Sequence, residues 1–519
     1  MNSCSNFQIH RFRFITSMAR DKNSSFFSML SFRSLCHLTL LVSLLSFVSF
    51  LYRHNTLFCS CPYDCHQIAD TFRHSTIDLL HFSSAWNHLS FSPANPPGKV
   101  LKIAVVVKKW PQRSRAGGLE RHALTLHLAL AKRGHEVHVF TAAPASATEE
   151  SAFSSFHHLK TLRFHLSKPT SAGYLDQTSV WEQLQTQNAT GKPFDVVHTE
   201  SVGLLHTRAK NLRNVAASWH GIAYETFHSD IIQELLRDSA AAGDEPRPPP
   251  SAALTERAKR VVDEVKFFQR YAHHVATSDH CGDVLKRIYM IPEERVHVIL
   301  NGVDDGVFRP DVSKRKIFRQ RYDIRDSGSV LVLGMAGRLV RDKGHPLMFA
   351  ALKRVFEEND SVRENVVVLV AGDGPWGNRY RDLGPNVIVL GPLDQERLAA
   401  FYNAIDVFVN PTLRAQGLDH TLLEAMISGK PVLATRLASI TGSVVVGPEF
   451  GYTFSPNVES LAEAISRVWS DGREVMDRKG MAARERALKL FTARKMTDAY
   501  ERLFLCMSDK RYCTIQASA

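Results

Sequence analysis

Residues 101–141 read LKIAVVVKKWPQRSRAGGLERHALTLHLALAKRGHEVHVFT. LKIAVVV (101–107) is a short β-branched run, the pattern of a strand buried on both faces. A Gly-rich turn follows, and then a helical stretch from Leu119 to Arg133. Gly134 closes the helix, and HEVHVFT (135–141) is a second strand. Strand, helix and strand in this order make a βαβ unit.

Outward from this unit the alternation continues. FDVVHT (194–199), VAASWH (215–220), HVATSD (274–279) and VHVIL (296–300) are further short apolar runs. Gly243–Ser251 (GDEPRPPPS) is a Pro-rich surface insertion. A second series starts near Ser329. VLVLGMAG (330–337) leads through a turn to a helix over Leu347–Glu357, and VVVLVAG (366–372), VIVLG (387–391), DVFVNP (406–411) and PVLAT (431–435) continue it. The tail is helical over Val458–Trp469, Val475–Phe491 and Ala493–Met507. Apolar strands spaced by helices predict an α/β chain of two doubly wound parallel-sheet domains. Their ligand belongs outside the carboxyl ends of the strands, in the cleft between domains.

Composition agrees with this class. The chain has 519 residues, 44% hydrophobic and 22% charged, which excludes a disordered polymer, a collagen-like repeat and a small disulfide scaffold. No period of 20–50 residues marks a solenoid or propeller. The net charge is +12, but Arg11, Arg13, Arg20, Lys22, Arg33 and Arg53 oppose only Asp21 in the first 53 residues. The rest is mildly basic and holds no Lys/Arg block with interleaved aromatics, so nucleic acid is not an expected partner.

Three segments carry candidate chemistry. In Arg115-Ala-Gly-Gly-Leu-Glu-Arg121, Gly117 and Gly118 precede a helix whose free N–H groups suit an anion. This is not G-x-G-x-x-G, and no acidic residue ends the second strand, which counts against a dinucleotide-dependent dehydrogenase. In Gly337-Arg-Leu-Val-Arg-Asp-Lys-Gly344, Arg338 and Lys343 can clamp a diphosphate without a metal. In the stretch from Gln416 to Pro431, Thr421 begins a helix and Glu424 is an acceptor for sugar hydroxyls.

GGLERHALTLHLALAKRGHEVHVFT, TSDH (277–280), VILNGVDDGVFRP (298–310), GRLVRDKG (337–344), VAGDGP (370–375) and TLLEAMISGKPVLAT (421–435), in this order, resemble the retaining GT-B-fold glycosyltransferases of family 4. The resemblance covers about residues 100–505. It implies two Rossmann-like domains, one for the acceptor over 99–310 and one for the nucleotide sugar over 311–490, with a final helix over 491–519 returning to the first. It implies a UDP- or GDP-sugar donor, a glycan or lipid acceptor, transfer with retention, and no metal or cofactor. By position, Arg338 and Lys343 would bind the donor diphosphate and Glu424 the ribose. Gly117 and Gly118 would line the phosphates, and Gly391, Pro392 and Leu393 the base. Thr421 and Leu422 would meet the donor at the helix start, and His220, in SWHG, would lie near the transferred sugar. One position departs. The family pairs two Glu residues eight positions apart, and here the first is Gln416. Asp419 is the nearest carboxylate in that loop, and Leu418 and Asp419 replace its usual Phe and Gly. A relative that binds a nucleotide sugar or glycan without transferring it is the rival that Gln416 supports.

The N-terminus carries a separate expectation. LCHLTLLVSLLSFVSFLY (35–52) is the one run apolar and long enough to span a membrane. Basic residues precede it and no A-x-A-like cleavage site follows. This predicts a cytosolic tail over 1–34, a signal-anchor over 35–52, a stem over 53–98, and a single-pass type II Golgi protein with a luminal catalytic region. A plastid transit peptide is the alternative for the Ser- and Arg-rich start. Cys59, Cys61 and Cys65 lack a second ligand pair at zinc spacing, and the sequons at Asn188 and Asn359 fall in the luminal part of this scheme.

Overall fold

The computed structural model describes residues 76–82, 84–91, 98–110, 118–144, 153, 156, 158–171, 175–236, 250–325, 328–415 and 417–516. The apolar run 35–52, the cysteines Cys59, Cys61 and Cys65, Gly117, Gln416 and most of the Pro-rich insertion lie outside them. Among the described residues no helix is long and apolar enough to cross a membrane.

A short strand β1 (Thr76–Asp78) opens the described chain. The first sheet follows: β2 (Lys102–Val106), β3 (Glu136–Ala142), β4 (Leu162–Ser167), β5 (Val196–Glu200), β6 (Val215–Trp219), β7 (His273–Ala276) and β8 (Val296–Val298). The second sheet holds β9 (Leu331–Ala336), β10 (Val366–Ala371), β11 (Val387–Gly391), β12 (Val407–Asn410), β13 (Val432–Thr435) and β14 (Gly451–Phe454). The orders are β4-β3-β2-β5-β6-β7-β8 and β11-β10-β9-β12-β13-β14. All pairings within both sheets are parallel. Each order reverses direction once, between β2 and β5 and between β9 and β12. Those reversals open the crevices where doubly wound sheets bind ligands.

The reason for the strands is the one the sequence suggests. All five residues of β2 and all five of β5 are buried, and burying one Val or Leu side chain contributes about 1.5–3 kcal/mol. The structure adds to each of these two sheets one strand the apolar runs do not announce. β4 (LRFHLS) is buried only at its two ends, Leu162 and Ser167, and lies at one sheet edge, and β14 is four residues at the edge of the other.

Five helices position the site. α1 (Gly118–Lys132) follows the Gly-Gly turn and buries Ala123, Leu126 and Leu130, but also His122 and His127, on its inner face. α2 (Ala223–Leu235) follows β6, and α3 (His420–Ile427) follows β12. α4 (Val458–Leu490) is broken at Gly472, whose φ of 73° and ψ of 176° are not helical. The break separates the two tail helices expected over 458–469 and 475–491. α5 (Ala493–Ser508) starts at Thr492, whose hydroxyl accepts from Lys495 N at 3.2 Å. Its Met496, Ala499, Tyr500, Leu503 and Phe504 join Leu101, Ile103 and Val105 in the core on one face of the first sheet. Arg133 of the α1 end pairs with Asp498 and Glu501 of α5. A disulfide joins Cys506 and Cys513, and β15 (Thr514–Gln516) returns antiparallel to β1.

Candidate active site

The second sheet supplies cations. The chain leaves β9 through Gly337 and the exposed Arg338, whose guanidinium has no ion-pair partner among the described residues. Lys343 follows in a single helical turn, closed by Gly344 at φ 76°. A Cβ there would lie 1.7 Å from the Pro411 carbonyl oxygen at the end of β12, so only glycine lets the two loops meet. Lys343 Nζ donates to Asp419 Oδ2 at 2.6 Å. Asp419 caps α3, accepting from the Thr421 amide at 3.2 Å and the Thr421 hydroxyl at 2.9 Å. Burial pushes its carboxyl up, but Lys343 and Thr421 outweigh that and hold it well below the usual range. Leu422 is fully buried, so its side chain is core. Gly391 lies at the carboxyl end of the edge strand β11, linked to the β9 loop through the β10 loop. Gly372 N donates to Gly391 O at 2.8 Å, and Leu339 N to Asp373 O at 2.8 Å. Pro392 is exposed and Leu393 half-buried beside it.

The first sheet supplies histidines. β5 ends at Glu200 and β6 runs directly into His220. Glu200 is fully buried and its Oε2 accepts from His220 Nε2 at 2.6 Å. Its Oε1 lies 3.2 Å from His122 Nδ1, 3.3 Å from His127 Nε2 and 3.8 Å from His198 Nδ1. His198 Nε2 reaches Ser218 Oγ at 2.7 Å, and Ser218 Oγ reaches the Tyr500 hydroxyl of α5 at 2.7 Å. Burial pushes the Glu200 carboxyl up, but His122 and His198 beside it pull it well below its usual value.

The two walls touch. Gly118 opens α1 where an added Cβ would sit 3.4 Å from His420 Nδ1 at the start of α3. Arg121, in the first turn of α1, pairs with Glu424 Oε1 of α3, and Glu424 Oε2 accepts from the Tyr402 hydroxyl at 2.8 Å. Glu424 is therefore buried with both oxygens engaged, where the sequence suggests an open acceptor. Burial raises its carboxyl, with Arg121 pulling against that. The loop 411–419 is held from the other wall: Ala415 N donates to Ser229 Oγ of α2 at 2.8 Å, and Asn301 Nδ2 to Leu418 O at 3.0 Å. Glu225 of α2 accepts from the Gly417 amide in the same loop, and burial pushes its carboxyl up to about 8.

The structure thus gathers Arg338, Lys343, Asp419, Thr421 and Glu424 around the β9 and β12 ends, with Gly118 and His220 on the facing wall. Gly391–Leu393 sit to one side, and Gly117 and Gln416 fall outside the described residues. Sequence reasoning does not find Glu200, His122, His127, His198, Arg121 or Glu225. Arg121 had a signal, as a cation directly after Gly-Gly-Leu-Glu.

Two family descriptions match. "Glycosyltransferase Family 4" matches residues 116–307, which hold every strand of the first sheet but β2, and "Glycosyl transferases group 1" matches residues 330–471, which hold the second. A D-inositol 3-phosphate glycosyltransferase of Nocardioides sp. is 25% identical over 422 residues, spanning 76% of this chain and 86% of that one. An uncharacterised glycosyltransferase of Methanocaldococcus jannaschii is 22% identical, spanning 72% and 90%. The crystal structure of Anabaena HepE with UDP and glucose superposes with a TM-score of 0.58 at 17% identity, over 78% of this chain and 99% of that one, a likeness of fold. These comparisons correct one expectation. The Golgi type II placement does not stand: these curated relatives are bacterial and archaeal, from cells without a Golgi. With both sheets matched in order, and their carboxyl ends facing one another across the motifs, the chain belongs to glycosyltransferase family 4 and is a glycosyltransferase of the GT-B fold.

Proposed function

We propose that the chain transfers a glycosyl group from a nucleoside-diphosphate sugar to a hydroxyl acceptor, with retention and with no metal ion in the transfer step. One arrangement carries this reading: Arg338 and Lys343 beside the start of α3 on one wall, and His220 on the other. The two cations neutralise the diphosphate as it leaves, and Arg338 can do so because it is exposed. Gly391, Pro392 and Leu393 take the base at the sheet edge. Glu424 takes the ribose once Arg121 gives way. Gln416 bonds a hydroxyl of the transferred sugar through its amide, which cannot offset positive charge at the anomeric carbon as a carboxylate would. The bond between the anomeric carbon and the diphosphate oxygen breaks, its electron pair staying on that oxygen, and the acceptor oxygen bonds to the carbon on the same face, its proton passing to the leaving phosphate oxygen.

UDP-glucose is the first donor to try, because a related Anabaena structure contains it. Inositol phosphate is the first acceptor, after the curated relatives. The test is mass spectrometry of products from a panel of UDP- and GDP-sugars with inositol phosphate and glycan acceptors. Binding of no nucleoside diphosphate by calorimetry, together with no donor consumed, sinks the proposal. Gln416 favours a second reading, a chain that binds donor without transferring. Tight binding of a donor that is never consumed would establish that one instead.

A further inference from the structure

The first wall holds more charge machinery than a surface histidine needs. Glu200 is a carboxylate with no exposure, at the carboxyl end of β5 beside the first sheet's reversal point. Leaving a charge there without partners would be costly. Four imidazoles converge on it, yet one contact differs from the rest. His220 approaches at 2.6 Å, the length of a charge-assisted bond, while His122, His127 and His198 stand at 3.2–3.8 Å. His220 is also the partly exposed member, with 10% of its side chain open, where the other three have none.

We propose that Glu200 is the positioning residue of the transfer reaction: it holds the Nε2–H tautomer of His220 and leaves Nδ1 as the ring atom free to accept from a substrate hydroxyl. This rests on the reading of the cleft given above. The carboxylate accepts the Nε2 proton, so a neutral His220 ring carries its lone pair on Nδ1. Orientation is fixed from a second side, because the His122 ring packs edge-on to His220 with centroids 4.6 Å apart. Glu200 in turn is held by its neighbours. His198 is tied through Ser218 to Tyr500 of the last helix, so the carboxylate sits in a frame built from α1, β5, β6 and α5. A carboxylate–imidazole pair buried in this way selects one tautomer and one ring orientation.

The same atoms suggest a rival. His127 Nε2, His198 Nδ1 and Glu200 Oε1 are all within 4.8 Å of one another. Their separations of 3.2, 3.3 and 3.8 Å would let a divalent cation sit about 2 Å from each, a zinc-like distance. The short Glu200–His220 bond and the absence of a fourth ligand within reach of all three, among the described residues, favour positioning.

Nitrogen-15 NMR of the histidine rings decides between them in the full chain, with His220→Gln assigning the resonance. The expected wild-type result is a proton on Nε2 of His220. Glu200→Gln should shift the His220 tautomer equilibrium and lower kcat at least tenfold with KM for the donor little changed. Glu200→Asp should recover part of that loss. A proton on Nδ1 in the wild type overturns the proposal without any variant, and so covers the case in which Glu200→Gln does not fold. So does one equivalent of tightly held metal by elemental analysis, or full kcat in a folded Glu200→Gln. Full turnover in His220→Ala would overturn the reading of the cleft itself. Loss in His220→Ala with none in Glu200→Gln would overturn the positioning role alone.

Discussion

At the carboxyl end of the first sheet, imidazoles crowd a carboxylate that water does not reach. At the carboxyl end of the second, Arg338 lies open and Lys343 leans on the cap of a helix. The two ends have the same topology and opposite chemistry. The difference follows from what each must meet. A diphosphate brings two or more charges and its own hydration, and exposed cations on a loop can adapt to it. A single sugar hydroxyl offers one weak partner, so the group that meets it has to be aimed beforehand by buried bonds. The family resemblance locates both walls, and the structure explains why one is wet and the other dry.

The sharpest way to break this contrast is at the wet end. Arg338→Ala and Lys343→Ala should each lower donor turnover by about 3 kcal/mol, in the range for losing one preorganised charge stabiliser. Arg338→Ala should leave Tm nearly unchanged because the side chain is exposed. Lys343→Ala should also lower Tm, because Asp419 loses its cation. Normal kinetics in both folded variants would make the loop an ordinary solvated surface.

A second test lies where the walls meet. Arg121→Ala leaves Glu424 buried without its cation. The expected cost is about 2–3 kcal/mol by denaturant unfolding, less than for a fully buried pair because a third of Arg121 is exposed. If Arg121 blocks the ribose acceptor, UDP should bind more tightly to this variant. Weaker binding would make Arg121 a ligand of the donor.

Glu225 gives a pH test of the loop between the walls. Its carboxyl is raised to about 8 in the folded chain. Between the ordinary value of 4.5 and about 8, the folded chain keeps a proton that the unfolded chain has released, so stability falls as pH rises through that window. Glu225→Gln should flatten the dependence by on the order of 2 kcal/mol between pH 5 and 7. Equal slopes in urea unfolding of both proteins would mean that Glu225 is ionised in the fold.

The smallest effect concerns Gln416. Gln416→Glu should change rate or donor preference about tenfold, roughly 1.4 kcal/mol in barrier. Asp419 already serves Lys343 and the cap of α3, so Asp419→Asn should act mainly through those partners. If neither variant differs from the wild type on one donor, the loop does not touch the sugar.

Most of the architecture is legible in the chain because its central strands are apolar on both faces. Only edge strands such as LRFHLS, which carry Arg163 and His165 outward or half-outward, escape that signal. The cationic loop is legible too, since Gly337, Arg338, Lys343 and Gly344 are neighbours in sequence. The histidine frame is not. His122 and His127 sit among leucines in α1 at spacings that fit either an inner or an outer face, and their partner Glu200 is more than 70 residues away. The Arg121–Glu424 pair spans 303 positions. Contacts that depend on two sheets meeting leave no periodic trace in either segment.

Tyr500 and its neighbours on α5 belong to the core that β2 begins to build some 400 residues earlier and β5 joins some 300 residues earlier. During synthesis the ribosome therefore delivers the first sheet long before its last wall. At about 5–20 residues per second, the part of that apolar face that α5 covers, beside α1, stays open for some tens of seconds. The nascent chain is then a natural client for chaperones, and a premature stop anywhere before residue 500 yields a first half without its closing helix, however complete its motifs are.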